Sequence, residues 1–191
     1  MQNDIDKTIN NPIIINFFGE PGAGKSCASA YVFYSLKKLG YNIEYLQEFA
    51  KQKLYENANK VFSCEPYIFG KQLYRLKSIG DNVDIVVTDS PLLLPHFYEQ
   101  DENFKKLLLQ LELNCFNSFN NINYFIVRNH TYQQNGRFQT EDEALQINNE
   151  ILNFLSSNSI DFQSILSSDV NEKFISNLIK IIDERMNEYE L

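Results

Sequence analysis

The sequence predicts an α/β protein, a three-layer α/β/α arrangement around a parallel sheet of about five strands. Three observations predict it. Short apolar runs alternate along the chain with stretches of helical period, the pattern of a parallel sheet covered on both faces. A glycine-rich segment, Gly19 to Ser26 in "INFFGEPGAGKSCAS", separates the first apolar run from the first helical stretch. A second polar punctuation, "TDSP" at Thr88 to Pro91, closes the apolar run "VDIVVT".

The elements follow in order. Apolar runs place strands at Ile13 to Phe18, Ile43 to Leu46, Val83 to Thr88, Asn123 to Val127 and Phe162 to Leu166. The first helix is expected from Gly24 to Leu39, stopped by Gly40. A second runs from Pro66 to Ile79, with Lys71, Arg75 and Ser78 on one face and Phe69, Leu73 and Leu76 on another. Three further stripes recur at helical spacing and read as core: Phe104, Leu107, Leu108, Leu111 and Cys115; Ala144, Ile147, Ile151 and Leu155; Phe174, Leu178, Ile181 and Ile182. Thr140 and Glu143 in "TEDEA" form a capping box, so Glu141, Asp142 and Glu143 read as first-turn capping acids rather than metal ligands. The polar stretch "RNHTYQQNGRFQ" before it contains Gly136, has no period, and reads as a mobile loop over a site.

Composition bounds the rest. A chain of 191 residues, 43% hydrophobic, is expected to form one domain (1–191, core about 12–185), since no repeat or linker divides it. No run of about 18 apolar residues occurs and the N-terminus lacks a secretion pattern, so a soluble, cytoplasmic protein without membrane partners is expected. Cys27, Cys64 and Cys115 have no CxxC pairing and read as small buried apolar residues. The net charge of −8 argues against a protein devoted to duplex nucleic acid. Its distribution is uneven: residues 51–80 carry six basic and two acidic groups, inside an otherwise acidic chain. The six are Lys51, Lys53, Lys60, Lys71, Arg75 and Lys77, read either as a solvated helix face or as a contact for an anionic acceptor, nucleic acid included.

Gly19, Gly24, Lys25 and Ser26 match GxxxxGK[ST] at full spacing, which predicts a nucleoside-triphosphate site. Such a loop turns backbone N–H groups inward at a helix N-terminus, and glycines let the phosphates approach. The binding segment is Gly19, Glu20, Pro21, Gly22, Ala23, Gly24, Lys25, Ser26 and Cys27, with Lys25 against the β- and γ-phosphates and Ser26 on Mg²⁺. Asp89, ending a strand beside the loop, is the second metal-directed candidate, with a turn aspartate as the alternative. Ser90 stands where many motor ATPases carry a second, water-activating carboxylate, which weighs against hydrolysis. Glu48 ends the second apolar run at the same edge and is a candidate base or acceptor ligand. Arg128 and Arg137 flank the loop segment and are candidates to neutralise a phosphoryl group in flight. Glu20 and Gln72 read as solvent-facing, with a ribose and a base edge as their respective alternatives; Tyr132 reads as a base platform or loop packing. His96 and His130 read as structural or exposed.

Taken together, Gly19 to Ser26, Glu48, "TDSP" and "RNHTYQQNGR" at Arg128 to Arg137 resemble the P-loop nucleoside and nucleotide kinases. The chain is similar to small phage and bacterial kinase-like proteins related to ribosylnicotinamide kinases, with phage kinases of 5-hydroxymethyluracil in DNA as neighbours. The resemblance implies a P-loop NTPase fold with an arginine-bearing lid. It also implies ATP and Mg²⁺ as cofactors, and transfer of the γ-phosphate to a nucleoside, nucleotide or nucleoside-like acceptor. Transfer to a hydroxyl on nucleic acid and a nucleotide-hydrolysing switch are the alternatives.

Overall fold

The computed structural model describes residues 11–99, 101–134 and 139–188. Five strands form one parallel sheet in the order β2-β3-β1-β4-β5: β1 Ile13–Phe18, β2 Ile43–Leu46, β3 Ile85–Thr88, β4 Asn120–Val127 and β5 Gln163–Leu166. The helices are α1 Lys25–Lys38, α2 Phe49–Tyr55, α3 Glu65–Gly80, α4 Glu102–Asn117, α5 Glu141–Ser157 and α6 Glu172–Glu188. Short 3₁₀ turns occupy Asn59–Ser63, Pro95–Phe97 and Ser167–Asp169.

β1 is buried at every position because both its faces are covered. Ile13, Ile15 and Phe17 pack in a cluster with Val32 and Leu36 of α1 and Leu178 and Ile182 of α6. Ile14 and Phe18 point the other way, among Phe69 and Leu76 of α3, Leu108 and Phe116 of α4, and Ile151 and Leu155 of α5. Between them lies Asn16, also buried, whose amide donates to Asn121 Oδ1 at 2.9 Å and Asn123 Oδ1 at 3.0 Å. The chain leaves β1 toward β2 and later returns across β1 to β4, so the connections diverge at the C-terminal ends of β1 and β3. That switch point is where open α/β sheets hold ligands.

The predicted elements are present: β1 and β2 begin where expected, and the starts of β3, β4 and β5 are shifted by one to three residues. The capping box forms as expected: Thr140 Oγ1 accepts from Glu143 N–H, and the Glu143 side chain accepts from Thr140 N–H at 2.7 Å. Gly40, at φ 93, ends α1. Two expectations fail. The cysteines are not buried: Cys27 and Cys64 are exposed and Cys115 half-buried. And α4 does not bury its most apolar stripe. Leu108, Glu112 and Phe116 face inward while Phe104, Leu107 and Leu111 are exposed. The helix is turned about its axis by the requirement that Phe116 meet Phe18, their rings 6.2 Å apart. Among the described residues no helix is long and apolar enough to cross a membrane.

Candidate functional site

Five strand ends deliver the site to one edge. Gly19 follows β1, Gln47 and Glu48 follow β2, Asp89 follows β3, Arg128 follows β4 and Ser167 follows β5.

The loop after β1 turns through three glycines with positive φ, Gly19 at 138°, Gly22 at 85° and Gly24 at 101°. Gly19 is also sterically obligatory, since a Cβ there would lie 2.8 Å from the Ile126 carbonyl oxygen. Gly24 is the N-cap of α1 and supplies no capping side chain, and the first turn carries no acid. The helix N-terminus therefore offers its amides and dipole to an anion. Lys25 Nζ folds back to donate to the carbonyl oxygens of Gly19 at 2.8 Å and Glu20 at 2.9 Å, which spans the loop with one ammonium. These features fit a bound polyphosphate.

Asp89 is buried and held from two sides: Tyr45 Oη donates to Oδ2 at 2.9 Å and the Glu48 backbone N–H donates to Oδ1 at 3.1 Å. Burial, then the neighbouring Asp89 charge, pushes the Tyr45 phenol far above its ordinary range, while a hydrogen bond with the Ser26 hydroxyl acts in the opposite direction. One phenol thus brings Ser26 and Asp89 together. A hydroxyl and one carboxylate beside a phosphate site suit Mg²⁺, which takes oxygen ligands and shares them with phosphates and water. Among the described residues no cluster of three or more His, Cys, Asp or Glu groups forms a self-sufficient metal site. Thr88 Oγ1 donates to the Leu46 carbonyl at 2.9 Å and accepts from Ser90 N–H at 3.0 Å, so the "TDSP" turn is pinned to β2.

Glu48 is the N-cap of α2. Burial raises its pKa, the Lys25 charge opposes the rise, Asp89 adds to it, and Lys51 opposes it again. The carboxylate therefore lies within electrostatic reach of both the loop lysine and Asp89, as parallel topology predicts. Beyond it come groups the sequence reading passed over. Burial raises the Tyr98 phenol, with Glu48, Glu65 and Tyr132 adding to the effect. Glu65, at the start of α3, is pushed up to about 7 by burial and the nearby Glu99. Gln72 is buried, a correction to its solvent-facing reading; Nε2 donates to the Ser90 carbonyl at 3.1 Å, leaving Oε1 without a partner. The signal was present, because Gln72 lies three residues after Phe69 and four before Leu76 in the inward stripe. Deeper still, Glu112 is wholly buried, 3.9 Å from His96 Nδ1, and burial pushes its carboxyl up to about 9 against the opposing effect of the His96 backbone.

Glu20 is the second correction: it is buried, and Oε1 accepts from Arg128 Nε at 2.6 Å while Oε2 has no partner. Arg128 Nη1 also donates to Glu141 at 2.7 Å, so one guanidinium ties the phosphate loop to the start of α5. Its plane lies 5.2 Å from the Tyr132 ring, and Tyr132 Oη donates to the Gln139 carbonyl at 2.7 Å. In this arrangement Tyr132 packs against arginine. His130, exposed, is structural as read: Nε2 donates to the Gly22 carbonyl at 3.1 Å, and Nδ1 lies 3.1 Å from Ser167 Oγ. Arg137 lies outside the described residues.

Sheet order, a glycine-turned loop carrying GxxxxGK[ST] after the central strand and a buried strand-end aspartate beside it together define a three-layer α/β fold with a P-loop motif. Solved structures share it. A NadR protein in complex with NR aligns at a TM-score of 0.63 and 15% identity, over 82% of this chain and 45% of that one, so this chain spans less than half of it. Deoxyadenosine kinase from M. mycoides aligns at 0.53 and 20% identity with products dCMP and dCDP bound, over 90% of this chain and 99% of that one. With dATP bound it aligns at 0.50 and 21% identity, over 91% and 99%. No protein-family model and no curated protein sequence matches the chain.

Proposed function

We propose that the protein is an Mg²⁺- and ATP-dependent phosphotransferase that moves the γ-phosphate to a nucleoside, nucleotide or nucleoside-like acceptor. The observation that carries the reading is Glu48. It is a desolvated carboxylate outside the loop, fixed by its own backbone to Asp89 and within reach of the Lys25 charge. Motor ATPases of this class usually carry a second, water-activating carboxylate directly after the first, and Ser90 occupies that position after Asp89. A carboxylate one strand away, facing a wall of polar groups, suits an acceptor hydroxyl instead.

In this reading the loop amides and Lys25 hold the phosphates. Ser26 and Asp89 would hold Mg²⁺, which when bound offsets charge on the β- and γ-phosphates. Glu48 orients the acceptor hydroxyl and takes its proton. Gln72 Oε1 and the Tyr98 and Glu65 side chains receive the acceptor's ring, and the orphaned Glu20 Oε2 accepts from a sugar hydroxyl. Arg128 and Arg137 neutralise the phosphoryl group as it moves, Arg128 by exchanging one of its two carboxylate partners for phosphate.

The test is labelled γ-phosphate transfer from Mg·ATP to a panel of nucleosides, nucleoside monophosphates and nicotinamide riboside, with an acceptor-free control. Transfer to a panel member at well above the control rate is the expected result. Phosphate release that is equal with and without acceptors replaces this reading with that of a hydrolysing switch.

A further inference from the structure

The outer side of α2 and α3 carries a feature that nucleoside phosphorylation does not use. Three tyrosines stand open in the single basic stretch of the chain, Tyr55 at 70% exposure, Tyr67 at 42% and Tyr74 at 67%. Tyr67, Gly70, Lys71 and Tyr74 share one helix face, and with Pro66 they line a shallow groove of about 350 Å³. Gly70 opens it, since a Cβ there would meet nothing within 4 Å, so the floor is bare backbone between two rings. The Lys71 ammonium stands 5.7 Å from the Tyr67 ring centre.

The charges around the groove are unbalanced. Lys53 is paired with Glu56, and Glu65 is buried away from the surface. Among the described residues no carboxylate pairs with Lys51, Lys60, Lys71, Arg75 or Lys77. A chain of net charge −8 thus gathers, within residues 51–80, cations that form no ion pair with a carboxylate and three exposed tyrosine rings. Cations interleaved along the chain with exposed rings are what a polyanion with accessible bases requires; a duplex hides its base faces, and an acidic peptide does not present a flat ring at every repeat.

We propose that the α2–α3 face docks single-stranded nucleic acid, with Tyr67 and Tyr74 stacking on bases and Lys51, Lys71, Arg75 and Lys77 meeting phosphates. The surface adjoins the candidate site. Phe49, next to Glu48, packs edge-on against Tyr67 at 5.8 Å, and Arg75 Nη1 donates to the Gln47 carbonyl at 3.0 Å. The inference stands on surface chemistry and does not depend on the phosphotransfer reading.

Fluorescence anisotropy of the full chain with a labelled single-stranded DNA of about 20 nucleotides tests it, beside the matching duplex and heparin, a polyanion without bases. Expected are tighter binding to the single strand than to the duplex, and affinity that falls with salt by about 0.7 logarithmic units per phosphate contact for each tenfold rise. Tyr74→Ala and Tyr67→Ala should each weaken binding by about tenfold, while Tyr74→Phe retains it. Lys71→Glu should weaken it and flatten the salt slope. Tyr74 is so exposed that its variants keep the fold, which a matching thermal unfolding curve verifies. Absence of binding at about 50 mM salt overturns the proposal. So does equal affinity for heparin with no effect of either tyrosine variant, the outcome that marks a surface for an acidic partner instead.

Discussion

The phosphate loop and the wall that faces it across β3 are both built from strand ends and helix starts, yet they use the chain differently. Gly19 to Ser26 is a contiguous segment whose shape follows from its own glycines and the helix behind it. The facing wall draws Glu48 from the start of α2, Glu65 and Gln72 from α3, Tyr98 from the segment after β3, and Glu112 from α4. The first wall is polar because it presents the backbone of a helix start that has no side-chain cap. The second is polar because side chains have been taken out of water, which shows in carboxyl groups held above their ordinary range. In the proposed reading, charge would be held by backbone on one side, and proton transfer and recognition would rest on desolvated side chains on the other.

Substitutions on the two sides should separate accordingly. The largest effect is expected on the loop: Lys25→Ala should lower kcat/KM for phosphotransfer by about 10²–10³ while the far-ultraviolet circular dichroism stays unchanged. A variant with near-normal turnover would show that the loop lysine is not the phosphate clamp. Glu48→Gln should cost about 10²-fold in kcat with little change in the KM for ATP. Because the Glu48 carboxyl is raised, and because it must be ionised to accept a proton, the acid limb of the pH–rate profile should lie above the ordinary carboxylate range of about 4.3 and vanish in this variant. Gln72→Leu should raise the acceptor KM by about tenfold, because it removes Oε1 from the facing wall together with the Nε2 bond to the Ser90 carbonyl.

The smallest effect concerns stability rather than turnover. Glu112 titrates near 9 in the fold and near 4.5 when unfolded, so the folded state binds the extra proton between those values. Its contribution to stability is full below about pH 4.5 and is lost as pH rises through about 9. Thermal midpoints of the parent should therefore fall across that window more steeply than those of Glu112→Gln, each kcal/mol appearing as about 2–4 °C. Parallel curves would mean that the carboxyl is ionised and partnered in the fold.

Much of the molecule was legible because its determinants are local. The alternation of apolar runs, the capping box at Thr140 and Glu143, and the stop at Gly40 each depend on neighbours a few residues away. The same holds for the phosphate loop and for Asp89 at a strand end. The α4 face was not legible, because a helix with apolar residues on more than half its circumference has no single inward stripe until Phe18 and Phe116 select one. That choice exposed Leu107 and Leu111 and buried Glu112. Glu20 was misread as exposed for a related reason: its burial depends on Arg128, 108 residues later.

By itself, then, the sequence determined the sheet, the glycine-turned loop that opens α1, and the edge at which Lys25, Glu48 and Asp89 emerge, since hydrophobic period and glycine conformation act over short stretches of chain. Only the tertiary structure decided that Tyr45 joins Ser26 to Asp89, that Arg128 locks the loop to α5, and that Gln72 and Glu112 turn inward. Those outcomes depend on which surfaces are removed from water when distant segments pack, and no local pattern encodes that.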